Sequence, residues 1–113
     1  MILKDELNDS IAILSVDGKI DATNSQEFEL HIKKLIENGK HKILVNMELC
    51  PYVSSAALRV FIVAAKNLKH LSGELVFAVM CKQVTDVFEI SGFSRLFKIF
   101  QTELDAQNYF VQK

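Results

Sequence analysis

Two adjacent serines, Ser54 and Ser55, stand where a buried strand gives way to a hydrophobic helix, and they are the side chains of this sequence best placed to do chemistry. A helix start carries unpaired backbone N–H groups and the positive end of the macrodipole. A hydroxyl there can cap the helix, act as a nucleophile or accept a phosphate. Nucleophilic attack needs a base, and none is at hand: His31, His41 and His70 are isolated on helices or helix ends, with no carboxylate or cysteine at ligand spacing. The glycines that flank a nucleophile elbow are also missing, and the scattered glycines form neither a phosphate-binding loop nor a dinucleotide fingerprint. No metal, no cofactor and no catalysis of the chain's own are therefore expected. Cys50 and Cys81 lie in no metal-like spacing and are expected as reduced core residues at strand ends. Capping and phosphate acceptance both remain open for the serine pair. A phosphate in a first helical turn gains from the dipole and the free N–H groups, while its charge changes the adjoining surface.

The elements that must position this pair can be followed along the chain. Ile2 to Leu7 and Ser10 to Gly18 are apolar-rich runs separated by Asn8-Asp9, which predicts an antiparallel hairpin. From Asn24 or Ser25 the period becomes helical, with Phe28, His31/Ile32, Leu35 and Ile36 on one stripe, Asn24 as N-cap and Asn38-Gly39 as the stop. Ile43 to Met47 is a near-continuous apolar run of the kind found in interior parallel strands. Ser54 or Ser55 then caps a second helix whose expected buried face is Ala57, Leu58, Phe61, Ile62, Ala65 and Leu68, closed at Gly73. Glu74 to Val79 reads as a strand, and Val84, Val87, Phe88 and Ile90 mark a third helix stopped by Ser91-Gly92. Phe97 to Phe100 is a short strand. Thr102 begins a last helix, with Asp105 as a weak capping-box partner and Leu104, Ala106, Tyr109 and Phe110 available for docking. The order β-β-α-β-α-β-α-β-α predicts an α/β domain: a mixed sheet of four to five strands packed with about four helices.

Length and charge narrow the function classes. A chain of 113 residues, half of them apolar, suits one domain spanning residues 1–113. With 13 basic and 14 acidic side chains the net charge is −1, so no long-range field favours nucleic acid or an anionic membrane, and Lys40-His41-Lys42 reads as a solvated turn. No apolar run reaches the length of a membrane-spanning helix, and the acidic start lacks the pattern of a secretory signal, which points to the cytoplasm.

Gly18 to Ala22, the Ile43 to Met47 strand, Tyr52 to Arg59 and Ile90 to Phe100 together resemble a bacterial STAS domain of the anti-sigma factor antagonist type, over nearly the whole chain. The resemblance implies a non-catalytic regulator, most simply a monomer. Unmodified, it would bind an anti-sigma factor that is also a GHKL-type serine kinase and so free the sigma factor. Phosphorylation would break the complex, and a PP2C-type phosphatase would restore it. Ser55 matches the phosphorylated serine and Asp21 the aspartate of a nearby loop, with Ser54, Ala56, Ala57 and Arg59 completing the implied contact surface. Two departures stand out: the usual Asp-Ser-Ser/Thr-Gly is Ser54-Ser55-Ala56-Ala57 here, and the usual strand aspartate is Asn46. Losing a carboxylate at position 54 removes a like-charge neighbour of a phosphate, while a methyl at Ala57 would crowd a partner. An unphosphorylated STAS scaffold and a small-ligand or nucleotide-binding STAS module are the alternative readings.

Overall fold

The computed structural model describes residues 1–112. The elements are β1 (Ile2–Asn8), β2 (Ile11–Asp17), α1 (Ser25–Glu37), β3 (Lys42–Leu49), α2 (Ser55–His70), β4 (Glu74–Ala78), α3 (Lys82–Ile90), a 3-10 turn at Phe93–Arg95, β5 (Lys98–Phe100) and α4 (Glu103–Val111). One sheet runs in the order β1-β2-β3-β4-β5, with β1 antiparallel to β2 and every later pair parallel. Because each crossover advances the sheet in the same direction and such crossovers are right-handed, α1, α2 and α3 fall on one face. α4 closes the other.

Strand alternation separates two cores. Ala12, Leu14, Val16, Ile43, Val45, Met47, Leu75 and Phe77 meet the three crossover helices, while Ile11, Ile13, Leu44, Val76 and Ala78 meet Ala106 and Phe110 of α4. Cover on both faces is why β3 reads as an unbroken apolar run. Phe61 of α2 sits among Phe28, Phe77 and Phe88 at ring separations of 5.5, 4.9 and 6.0 Å, so one side chain touches α1, the sheet and α3.

Several expectations shift in detail. The hairpin turns at Asp9-Ser10, not Asn8-Asp9: Asn8 pairs with Ile11, and Asp9 takes the positive φ of 57° that a tight hairpin requires. The buried stripe of α2 is Ala57, Leu58, Val60, Phe61, Ala64 and Leu68, with Ile62 and Ala65 at its margin, because α1 packs along the Val60 and Ala64 side. Asn24 does not cap α1 with its side chain, which turns back to accept from the Asp21 N–H and donate to the Lys19 carbonyl. Ile90 and Leu104, expected to pack, are 88% and 64% exposed. The strand at Glu74 ends at Ala78, where Val79 turns to φ 60°, and Phe97 precedes β5 rather than beginning it. Thr102 accepts from the Asp105 N–H at 3.0 Å, the forward half of the expected capping box. No helix among the described residues is long and apolar enough to cross a membrane.

Gly73 marks the tightest backbone approach. Its N–H bonds to the Leu68 carbonyl at 2.7 Å, closing α2, and any Cβ placed on it would run into the carbonyl oxygen of His41. Gly39, at φ 83°, has open space around it, so a side chain there meets only backbone strain. Urea unfolding is expected to show Gly73→Ala destabilising by about 3 kcal/mol, the upper end for overpacking. Gly39→Ala should cost only about 1 kcal/mol; equal losses would contradict the His41 contact.

Candidate functional site

The serine pair is positioned by strand pairing that continues past the strand ends. Beyond β2 and β3 the Gly18 N–H donates to the Leu49 carbonyl at 2.9 Å, Ile20 to Tyr52 at 3.0 Å and Ser54 to Ile20 at 2.9 Å. A parallel bridge joins Ile20 to Val53, and both side chains are buried. Two loops that would otherwise be independent are thereby zipped together at the C-terminal ends of the parallel strands. This edge is where α/β sheets commonly place their ligands and partners.

The two serines have different jobs. Ser54 is the N-cap, with extended backbone, an Oγ that accepts from the Ala57 N–H at 3.4 Å and a carbonyl that accepts from Leu58. Ser55 is the first helical residue and is exposed. Its hydroxyl makes no hydrogen bond with the described residues. The first turn of α2 carries no acidic side chain, and Arg59 is exposed one turn further along, a spacing that puts it on the same side of the helix as Ser55. Ala56 is partly exposed. Ala57 is fully buried and belongs to the core, so it does not lie on the contact surface and its methyl group cannot crowd a partner.

Asp21 lies at the same end of the sheet, one residue past the Ile20 bridge, in a loop tied to itself. One carboxylate oxygen accepts from the Thr23 N–H at 2.9 Å and the Thr23 hydroxyl at 2.6 Å, and the other faces the Lys19 ammonium at 3.4 Å. Its carbonyl accepts from the first N–H of α1, that of Ser25, at 2.8 Å. The carboxylate therefore holds the loop shape, while the backbone carbonyl starts α1. Asn46 was expected to belong with the departures around Ser55, but it points to the opposite face of the sheet. There its amide donates to Glu103 of α4 at 2.7 Å, and its carbonyl oxygen accepts from the Glu48 N–H. An aspartate at 46 would set two carboxylates against each other. The asparagine thus suits α4 and not the serines.

Sequence reasoning missed three contributors: Thr23 and Lys19, which hold Asp21, and Tyr52, 49% exposed beside the serines. The Asp-x-Thr spacing of an Asx turn was the available signal for Thr23. Thr23's donors, its hydroxyl foremost, together with Lys19, hold the Asp21 carboxyl below its ordinary 3.8. A depressed carboxylate contributes stability above its unfolded pKa, and this is lost as pH falls through the lower folded value. In a carboxyl-carbon NMR titration Asp21 is expected to titrate below 3.8, and Thr23→Val to move it upward while the Thr23 N–H stays in place. An unchanged midpoint in the variant would remove the hydroxyl from this role.

Comparison with known proteins gives the family. The STAS domain family matches residues 3–106. BtrV of Bordetella bronchiseptica, a protein named as an anti-sigma factor antagonist, is 32% identical over 91 residues, 80% of this chain and 78% of its own. The solved structure of a Thermotoga maritima protein described in the same terms superposes with a TM-score of 0.90 at 18% identity, covering 95% of this chain and 92% of that one. The anti-sigma factor antagonist SpoIIAA superposes with a TM-score of 0.85 in its unphosphorylated form, covering 99% and 98%, and 0.74 in its phosphorylated form, covering 96% and 99%, both at 17% identity. The structural likenesses speak for the fold, and the sequence match reaches across it: this chain belongs to the STAS domain family, alongside the anti-sigma factor antagonists.

Proposed function

We propose that this protein is an anti-sigma factor antagonist that works by partner switching, with Ser55 as its phosphorylation site. The observation that carries the reading is the setting of Ser55: an exposed hydroxyl, bonded to none of the described residues, on the first turn of a helix without acidic side chains. Phosphate added there brings about −1.5 to −2 units of charge. The helix end accepts that charge at a gain of roughly 0.3–1 kcal/mol, so the fold of the protein is not disturbed. A partner packed against the same surface is affected differently, because it must now desolvate a dianion. The modification therefore acts on the complex and leaves the domain intact. Relatives named as antagonists, and one of them solved both with and without phosphate, support this reading.

The partner is a GHKL-type anti-sigma factor with serine-kinase activity, and a PP2C-type phosphatase resets the switch. The protein contributes a surface built from Asp21, Ser54, Ser55, Ala56 and Arg59, and does no chemistry itself. Ser54 in place of an acidic residue keeps a like charge away from the phosphate while still capping the helix. Unlike an unphosphorylated scaffold, this mechanism makes affinity depend on the state of one hydroxyl.

Incubation with ATP and a GHKL-type anti-sigma kinase from the same organism is expected to add about 80 Da, one phosphate, at Ser55. Phosphate on other residues and never on Ser55 would falsify the switch. Ser55→Asp should bind the unmodified kinase at least about tenfold more weakly than wild type, near 1.4 kcal/mol, with Ser55→Ala binding as wild type does. Equal affinity for all three would favour the constitutive scaffold.

A further inference from the structure

Cys50 and Cys81, which the sequence separates by a helix and a strand, come together beneath the loop that carries the serines. β3 and β4 are adjacent parallel strands with Asn46 beside Ala78, and each cysteine follows the end of one of them. Past that last pair, Cys50 and Cys81 face each other across the ends of the two strands, and a side-chain contact rather than strand register brings them together. The Cys81 thiol rests on the Cys50 carbonyl at 3.7 Å and the Pro51 carbonyl at 3.9 Å, and the Cys50 thiol points to the Tyr52 carbonyl at 3.4 Å. Both are free thiols.

The two differ in access. Cys50 is 1% exposed, and burial pushes its thiol above 9.0, with the nearby Cys81 adding to the effect. Cys81 is partly exposed at the N-cap position of α3. Two residues earlier Val79 has a φ of 60°, a left-handed conformation that a β-branched side chain adopts only under strain. Such strain gathers at segments with a function beyond packing.

We propose that Cys50 and Cys81 form an oxidisable dithiol, which hydrogen peroxide converts to an intramolecular disulfide that reshapes the loop leading into Ser54 and Ser55. The Cys81 thiolate attacks one peroxide oxygen; the O–O bond breaks, hydroxide leaves, and Cys81 becomes a sulfenic acid. The Cys50 sulfur then attacks the Cys81 sulfur; the S–S bond forms, the S–O bond breaks, and the departing hydroxide takes the Cys50 proton as water. Overall two thiols and one peroxide give a disulfide and two waters, the sulfurs being oxidised and the peroxide oxygens reduced. The new bond withdraws Cys50 from Tyr52, whose carbonyl also accepts from Ile20, and Ile20 in turn accepts from Ser54. The amides of Ile20 and Ser54 therefore report the change.

Peroxide treatment of the intact protein, followed by mass spectrometry and peptide mapping, is expected to show a loss of about 2 Da and a Cys50–Cys81 linked peptide in a monomer, reversed by dithiothreitol. Hydrogen exchange at Ile20 and Ser54 should change by about threefold or more on oxidation. Neither change should occur in Cys81→Ser or Cys81→Ala, whose partly exposed site tolerates substitution better than Cys50. Gains of about 16 or 32 Da without the linked peptide, a linked dimer, or unchanged exchange in the oxidised monomer would each overturn the proposal. These readouts require no kinase or phosphate, so they stand or fall separately from the role of Ser55.

Discussion

Burial of Phe61 is the interaction on which the arrangement rests. Its ring meets Phe28 of α1, Phe77 of β4 and Phe88 of α3, so the helix that begins at Ser55 is fixed against every neighbour on its face of the sheet. Aromatic pairs at such separations add roughly 0.5–1.5 kcal/mol each to the burial of their area. The direction of α2, and with it the place where its first turn emerges, follows from that packing. Truncating such a residue costs about 3–5 kcal/mol, a large part of the stability of a domain this size. Fixing α2 in this way also fixes where the exposed Ser55 hydroxyl stands on the surface.

The second constraint is the zipper between the two loops. Ile20 accepts from Ser54 and donates to Tyr52, which registers the Asp21 loop against the start of α2 to within one hydrogen bond. Asp21 then spends its carboxylate on its own loop. The surface at this end is consequently assembled from backbone geometry and small side chains, with Ser55, Arg59 and Tyr52 exposed on it. No cluster of metal-binding side chains is found among the described residues, so the character of this end of the sheet comes from its backbone and its exposed hydroxyl.

Much of this was legible in the sequence, for identifiable reasons. β3 announces itself because Ile43, Val45 and Met47 face one core and Leu44 the other, and α1 because Phe28, Ile32 and Leu35 recur at helical spacing. What could not be read depends on contacts between distant segments. The buried stripe of α2 turns toward Val60 and Ala64 because α1 lies there, and a helical pattern alone does not reveal a neighbour's position. Asn46 looked like part of the serine site because it lies close in sequence, yet strand alternation and Glu103 place it on the far face. Ser54 and Ser55 could not be separated into cap and exposed hydroxyl until the loop geometry was known, and Ala57 passed for surface because its burial comes from the core beneath it. The meeting of Cys50 and Cys81 is likewise a product of strand order, which spacing in the chain conceals.

That strand order has a kinetic side. Each strand pairs with the one before it in the chain, from β1 to β5, so the sheet can grow by adding one unit at a time to an existing edge. Every closure spans a short segment, and the entropic cost of bringing ends together rises slowly with length. A chain emerging from the ribosome can therefore lay down β2, β3 and the helix between them before the rest is made. The three-residue β5 and α4 follow in the chain and seal the face that carries Phe110. The strand order thus permits assembly from the hairpin outward, a route in which the serine-bearing loop is placed before the sheet gains its final edge.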